Sequence, residues 1–404
     1  MKVLMLGWEL PPHNAGGLGV ECYRLCRALS KKGVDIEFIL PYTADHSDIT
    51  FMKINPAHSQ TVMQVRSAGS VYDSFRYIET TGKISTLDLY GQVALYERSV
   101  ERIVETSVFD VIHAHDWLTF RAAIRAKMRS GKPLIVHVHS LESDRAGQAH
   151  GGNPLIREIE ELGLQMADRI VAVSGVTKSH IVQEYDIPED KIEVVHNNLD
   201  ITALLPPSNE NEYVYLTRLK KQGYRVVMNV GRMTIQKGLP HLFQAFSIAL
   251  QYAPKALLLI VGSGEQYHEL IELAAELGIA DHVLFTGFQR GKRWRDAFDI
   301  ADLFVLPSPT EPFALTVLEA IGYGTPVLIS KETGVAEVIR NALRVDYWDH
   351  NQMANKMATL LRHDGLRDEL QTQAYRELER FSRGDSTADK LTALYQQQME
   401  AVPA

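Results

Sequence analysis

The sequence predicts an α/β protein built from two doubly wound units, each a parallel sheet covered by helices. Short apolar runs of strand length alternate with helix-period stretches through most of the 404 residues, the signature of parallel sheets buried on both faces. That length also exceeds what one core commonly serves. Between the two halves the alternation breaks at 199–223, where Pro206-Pro207-Ser208-Asn209 precedes a charged helical patch.

In the first unit the apolar runs place strands at 3–6, 35–40, 111–113, 134–138, 169–173 and 192–195. A helix follows the first, with Cys22, Leu25, Cys26 and Leu29 on one face and Gly33 as its stop. The passage 43–90 is irregular and is expected to form functional loops or a small added sheet. A linker is expected at 201–222. The second unit has strands at 225–230, 256–261, 283–285, 303–306 and 326–329, with a further candidate at 343–345. Near the C-terminus, Ala388, Leu391, Leu394 and Tyr395 recur at the spacing of a surface helix over 385–399.

At 45% hydrophobic and 23% charged residues, the composition is that of a soluble globular protein. A formal net charge of −8 argues against nucleic acid as the main partner and leaves room for a small anionic ligand met by a few local cations. Two cysteines make no disulfide framework, so a reducing cytoplasm is expected, with Cys22 and Cys26 as small buried apolar groups. No signal peptide and no run of about 18 apolar residues is read, which predicts no spanning helix. Two basic runs, Arg290–Arg295 and Arg121–Lys132, leave open peripheral contact with anionic lipid, or are solvated helix faces.

Four constellations bear on chemistry. After the first strand, Gly16-Gly17-Leu18-Gly19 lets backbone amides approach an anion at a helix start, or serves a tight turn; the spacing is not the dinucleotide fingerprint. After strand 225–230, Arg232 and Lys237 set a guanidinium and an ammonium at the sheet's carboxyl edge, suited to a diphosphate or simply solvated. Third, Glu311 precedes Phe313, Ala314, Leu315 and Thr316, whose amides open a helix, and Glu319 lies eight residues after Glu311. Amides there seat an anion, Glu319 can accept two ribose hydroxyls, and Glu311 can accept from a sugar; helix-dipole glutamates are the plainer alternative. Fourth, His113 with His115, and His137 with His139, end consecutive strands, each pair on one face. His113 and His137 read as satisfied core histidines, His139 and then His115 as functional. No carboxylate or cysteine stands at ligand-like spacing beside them, so no metal is expected.

The order Gly-Gly-x-Gly, Gly231-Arg232-x4-Lys237-Gly238 and Glu311-x7-Glu319 resembles the retaining GT-B glycosyltransferases of family four. The first motif and His115-Asp116-Trp117 are also similar to glycogen and starch synthases. The resemblance covers essentially the whole chain. It implies two Rossmann-like doubly wound domains facing a central cleft: an acceptor domain at 1–200, a donor domain at 223–380, and a helix at 381–404 crossing back, with the change near Phe381. By the same resemblance Arg232 and Lys237 clamp the donor diphosphate, Glu319 holds the ribose, and Glu311 the transferred sugar. The amides of Phe313, Ala314, Leu315 and Thr316 meet phosphate and sugar, while Gly17 faces the diphosphate. His139 lies near the reacting centre and His115 matches the glucan-synthase histidine. The region of Gly287, Phe288 and Gln289 shapes the base site. Phe-Ala-Leu-Thr in place of Cys-Gly-Leu-Thr, together with Glu319, departs from glycogen synthases and favours family four.

The expected activity is retaining, metal-independent transfer of a hexose, glucose first, from a UDP-, ADP- or GDP-hexose to a carbohydrate or lipid-linked hydroxyl. No Asp-x-Asp tripeptide occurs. Rival readings are glucan elongation, a nucleotide-sugar epimerase or hydrolase of the same fold, a partner-binding pseudo-enzyme, and a nicotinamide dehydrogenase.

Overall fold

The computed structural model describes residues 1–13, 16–58, 61–64, 75–78, 87–206, 210–383 and 387–401, with 61–64 and 75–78 as backbone. The chain forms two units. One contains Met1–Glu142, His150–Asn197 and the described part of Asp385–Ala404; the other contains Ser143–Ala149 and Asn198–Gly384.

In the first unit the strands are β1 (Lys2–Leu6), β2 (Asp35–Leu40), β3 (Lys53–Pro56), β4 (Thr61–Gln64), β5 (Phe75–Ile78), β6 (Val111–His115), β7 (Leu134–Val138), β8 (Arg169–Ala172) and β9 (Ile192–Val194). Seven make one sheet in the order β3-β2-β1-β6-β7-β8-β9, every pairing parallel. Its central strands are apolar runs because helices cover both faces. The edge strand β3 is not such a run. There Lys53 and Lys2 reach the buried Glu37 carboxylate at 2.9 and 3.1 Å, so charge rather than apolar burial fixes that edge. The pair β4–β5 is a separate antiparallel ribbon within the 43–90 passage; the other residues of 59–86 lie outside the described ones.

Chain order reverses between β1 and β6, since β2 and β3 lie to one side and β7–β9 to the other. Diverging crossovers leave a crevice beyond the carboxyl ends at such a point. The loop after β1 carries Gly16–Gly19, and the loop after β6 starts at Asp116. Helix Gly17–Lys31 buries Cys22, Leu25, Cys26 and Leu29 in one cluster with Ala388, Leu391, Leu394 and Tyr395 of helix Thr387–Ala401. The C-terminal helix therefore packs on the first unit, after helix Asp364–Arg383 of the second has run through Phe381.

The second unit holds β10 (Arg225–Val230), β11 (Ala256–Val261), β12 (Val283–Phe285), β13 (Leu303–Leu306), β14 (Val327–Ser330) and β15 (Leu343–Val345). Their order is β12-β11-β10-β13-β14-β15, again all parallel, with the reversal between β10 and β13.

Two sequence expectations are corrected. The 201–222 stretch belongs to the second unit: helix Val214–Lys221 buries Leu216, and Lys220 reaches Asp302 at 3.1 Å. Pro207, Ser208 and Asn209 lie outside the described residues. Strand β6 continues past residue 113 to His115, because the backbone goes on pairing with β7 as far as His115↔His137. The basic runs are largely exposed faces, the plainer of the two readings, with most of their charges paired to carboxylates. Arg121 and Arg125 hold Glu97 at 2.9 and 3.0 Å, Lys127 holds Asp168 at 2.8 Å, and Arg129 holds Glu105 at 2.6 Å. Lys292 pairs with Asp296 at 3.0 Å, and Arg295 is buried against the same carboxylate. Among the described residues, no helix is long and apolar enough to cross a membrane.

Candidate functional site

In the second unit, four consecutive loops meet at the carboxyl edge. Glycine makes this possible. At Gly262, after β11, a Cβ would fall 1.8 Å from the Gly231 carbonyl oxygen; at Gly238 it would fall 2.3 Å from that of Pro307, after β13. Gly238 also has φ +61, and Gly262 has φ +143, both in the region glycine favours. Gly262 N–H donates to Gly287 O at 3.0 Å, which ties the loop after β12 to the same edge.

Lys237 and Glu311 come together there: Lys237 Nζ lies 2.6 Å from Glu311 Oε2, which also accepts from Ser308 Oγ at 3.1 Å. Glu311 is buried and fixed in the backbone by its N–H to Glu332 O and by Gly334 N–H to its own carbonyl. Arg232 is exposed. Desolvation holds the Glu265 carboxyl above its ordinary value, and the Arg232 charge offsets part of that rise. At the far end Phe288 is exposed with the Arg290 guanidinium 5.0 Å over its ring, and Gln289 Nε2 donates to Thr286 O at 2.6 Å.

Helix Leu315–Gly322 starts directly after Ala314, a non-glycine residue at φ +70 and ψ +73. A left-handed alanine costs about 1–2 kcal/mol relative to a right-handed one. That turn aims the first-turn amides of Leu315 and Thr316, which have no ladder acceptor by the geometry of a helix start. Phe313 is buried beneath, and Glu319 is buried one turn further on.

In the first unit the glycine turn holds an anion supplied by the chain. Glu9 Oε2 accepts from Gly16 N–H at 2.8 Å and Gly19 N–H at 3.3 Å. Gly17 opens the helix, and a Cβ built on it meets nothing within 4 Å. Asn14 and Ala15 lie outside the described residues.

The four histidines form one stack across β6, β7 and the residue after it. His113 and His115 are 4.6 Å apart by ring centroid, and His137 and His139 are 4.2 Å apart. Across the strands, His115 Nδ1 and His139 Nε2 are separated by 2.9 Å, and His113 Nε2 and His137 Nδ1 by 3.3 Å. His113 Nδ1 meets Tyr395 OH at 2.5 Å, so His113 is a satisfied core residue. His137 is not: its Nε2 is buried with no hydrogen-bond partner. Burial pushes His113 and His139 down to about 3, and His115 and His137 well below the usual histidine range, so all four are neutral near pH 7. Only His139 is half-open to solvent.

Asp116 holds this end of the sheet. Its Oδ1 accepts from the amides of His139 at 2.7 Å and Ser140 at 3.4 Å, from a backbone at φ +56 and ψ +170. That region is close to glycine-only, so tertiary contacts over-determine it. Residue spacing missed Glu9, Gly262 and Gly264, where a Cβ would fall 2.4 Å from the Met233 carbonyl oxygen, and gave Asp116 no role beyond its place in His115-Asp116-Trp117. The Gly262-Ser263-Gly264 triplet after a clear strand was the available signal; Glu9 and Asp116 have no local one.

Two family descriptions match the chain: Glycosyltransferase Family 4 over residues 15–203 and Glycosyl transferases group 1 over residues 217–377. A D-inositol 3-phosphate glycosyltransferase of Salinispora tropica is 29% identical, over 95% of this chain and 81% of its own. Among solved structures, a sucrose-phosphate synthase of Thermosynechococcus elongatus superposes with a TM-score of 0.76 at 18% identity, over 99% of both chains. Anabaena HepE, solved with UDP-glucose, gives 0.69 at 19% identity, over 99% of this chain and 98% of that one. Two doubly wound parallel sheets in these orders, with one glycosyltransferase description matched on each, make the chain a family-4-like glycosyltransferase of GT-B fold.

Proposed function

We propose that the enzyme transfers a hexose, glucose in the first instance, from a nucleoside diphosphate sugar to a hydroxyl acceptor with retention of anomeric configuration and without a divalent ion. The observation that carries this reading is the Lys237–Glu311 contact at the β10/β13 switch point, next to the exposed Arg232 and the amides opened by Ala314. Open α/β sheets bind ligands at that point.

Along this edge the base lies by Phe288, the ribose on Glu319, the diphosphate on Arg232, Lys237 and the Leu315–Thr316 amides, and the sugar on Glu311. HepE's complex with UDP-glucose supports a nucleotide sugar of this kind. From the first unit, Gly17, His115 and His139 are assigned to the same reaction. A carboxylate already holding an ammonium is a poor nucleophile, which favours a route without a covalent glycosyl-enzyme. The C1–O bond to the diphosphate breaks first, giving an oxocarbenium-like state. The acceptor oxygen then bonds to C1 on the face the phosphate leaves, and its proton passes to the departing phosphate oxygen. Fixed cations and amides stabilise the charge that develops on that phosphate.

Losing one such contact costs about 3–4 kcal/mol, about a hundred- to a thousandfold in turnover. Arg232→Ala is therefore expected to cut turnover at least about a hundredfold, and Lys237→Ala likewise when scored per folded molecule. Near-normal rates in both would remove the assignment. Measuring nucleotide release with and without acceptor, over a panel of nucleotide sugars, separates transfer from epimerisation or hydrolysis and identifies the donor.

A further inference from the structure

One short segment touches both of the loops that bring Lys237 and Glu311 together. Residues Ser143–Ala149, which follow β7 in sequence, belong to the second unit. Helix Glu142–Ala146 stops at Gly147, whose N–H donates to Asp144 O at 3.1 Å. On one side the segment meets the loop after β13, where Thr310 Oγ1 donates to Asp144 Oδ1 at 2.9 Å. On the other it meets the loop after β10: a Cβ built on Gly147, at φ +69, would fall 3.2 Å from Ile235 Cγ2. Thr310 immediately precedes Glu311, and Ile235 opens the turn Ile235–Lys237. We propose that Asp144 is a positioning residue for the transfer reaction, holding the Glu311 carboxylate on Lys237 through the Thr310 hydroxyl.

Burial gives that contact its weight. Asp144 is 1% exposed, so its carboxylate depends on protein donors rather than water. A hydrogen bond onto a carboxylate is roughly twice as strong as one between neutral groups. The Glu311 backbone is already tied to the loop after β14, by its N–H to Glu332 O and by Gly334 N–H to its own carbonyl, each at 2.9 Å. Asp144 ties the preceding residue from the opposite direction. Between these ties a single oxygen, Glu311 Oε2, meets both Lys237 Nζ at 2.6 Å and Ser308 Oγ at 3.1 Å. A shift of the Thr310–Glu311 peptide therefore disturbs both partners at once. Misplacing a reacting group by about 1 Å can cost about a hundredfold in rate. Asp144 itself reaches no reacting atom and acts only through Thr310. The assignment rests on the donor-site roles proposed above for Lys237 and Glu311.

The test uses the full chain and reads the pair first without substrate. Limited acetylation with acetic anhydride, followed by mass spectrometry, reports how firmly the Lys237 amine is held. In Thr310→Val and Asp144→Ala its labelling rate, relative to lysines of the first unit, is expected to rise at least about threefold, as loss of one hydrogen bond allows. Thr310→Ser keeps the hydroxyl and should label like the native chain. With a nucleotide sugar that the native chain turns over, kcat is expected to fall about tenfold to a hundredfold in Thr310→Val and to recover in Thr310→Ser. The double variant should fall no further than the worse single one, because both remove the same link. Should Asp144→Ala fail to fold, the two Thr310 variants carry the comparison alone. Native labelling of Lys237 in Thr310→Val, or native kcat there while Lys237→Ala is inactive, overturns the positioning role. Native kcat in Lys237→Ala removes the donor reading instead, and the labelling rates then decide whether Asp144 holds the pair.

Discussion

Lys237 Nζ sits 2.6 Å from a carboxylate oxygen of Glu311, with the two side chains only 18% and 8% exposed. A pair this enclosed is costly to break from one side, because the remaining charge is stranded. Lys237→Met is accordingly expected to lower unfolding free energy by about 3–5 kcal/mol. Adding Glu311→Gln removes the stranded charge and should restore most of it, while turnover stays low in both variants. Urea midpoints decide this. A single variant as stable as the native chain would show that Glu311 finds another partner or stays solvated.

Ala314 holds φ +70 at the start of helix Leu315–Gly322. Glycine adopts that conformation freely but brings more entropy to the unfolded chain, so the two effects partly cancel. Ala314→Gly is expected to leave stability unchanged or raise it by up to about 1 kcal/mol. Ala314→Val, β-branched in a left-handed position, should cost at least about 1 kcal/mol. Thermal melting of the two variants checks this, and the reverse ranking would mean that the backbone does not hold the angle.

Space around Gly17 separates fold from chemistry. An added Cβ there meets nothing within 4 Å, and alanine is the better helix former. Gly17→Ala should therefore keep or slightly raise the melting temperature. If a phosphate approaches that backbone, the methyl group pushes it away, and kcat/KM for the donor falls at least about tenfold, equivalent to about 1.4 kcal/mol. Native kinetics in a stable Gly17→Ala chain would take Gly17 out of the donor site.

The sheets were readable because a strand buried on both faces must be an apolar run, and β1, β7, β10 and β11 are such runs. Strand β3 was hidden for the opposite reason: Lys53-Ile54-Asn55-Pro56 is polar, and its place comes from Glu37 in a neighbouring strand. At the site, Arg232, Lys237 and Glu311 stood out as charges just beyond strand ends, a local signal. The partners were harder. Gly262 must be glycine because the Gly231 carbonyl passes close by, and Asp116 is strained because amides of another loop need its carboxylate. Cys22 and Cys26, read as small buried apolar groups, are buried in the cluster that the helix Gly17–Lys31 shares with the C-terminal helix.

The histidine stack also sets an acid limit on stability. In the folded chain His113 and His139 are pushed down to about 3, and His115 and His137 lie well below the ordinary value; unfolded, each returns to about 6.5. Below pH 6.5 the unfolded chain therefore binds protons that the folded chain refuses. Stability then rises with pH in that window and falls as the solution is acidified. Each such histidine contributes at most about 1.4 kcal/mol per pH unit, and four together at most about 5.5 kcal/mol per unit, against a typical total stability of about 5–15 kcal/mol. The protein should lose little between pH 8 and 7, then destabilise steeply from pH 6.5 to 5, with two or more protons taken up on unfolding. Urea midpoints at each pH give that number. Uptake of less than one proton would mean that the imidazoles are already protonated or solvated in the native stack.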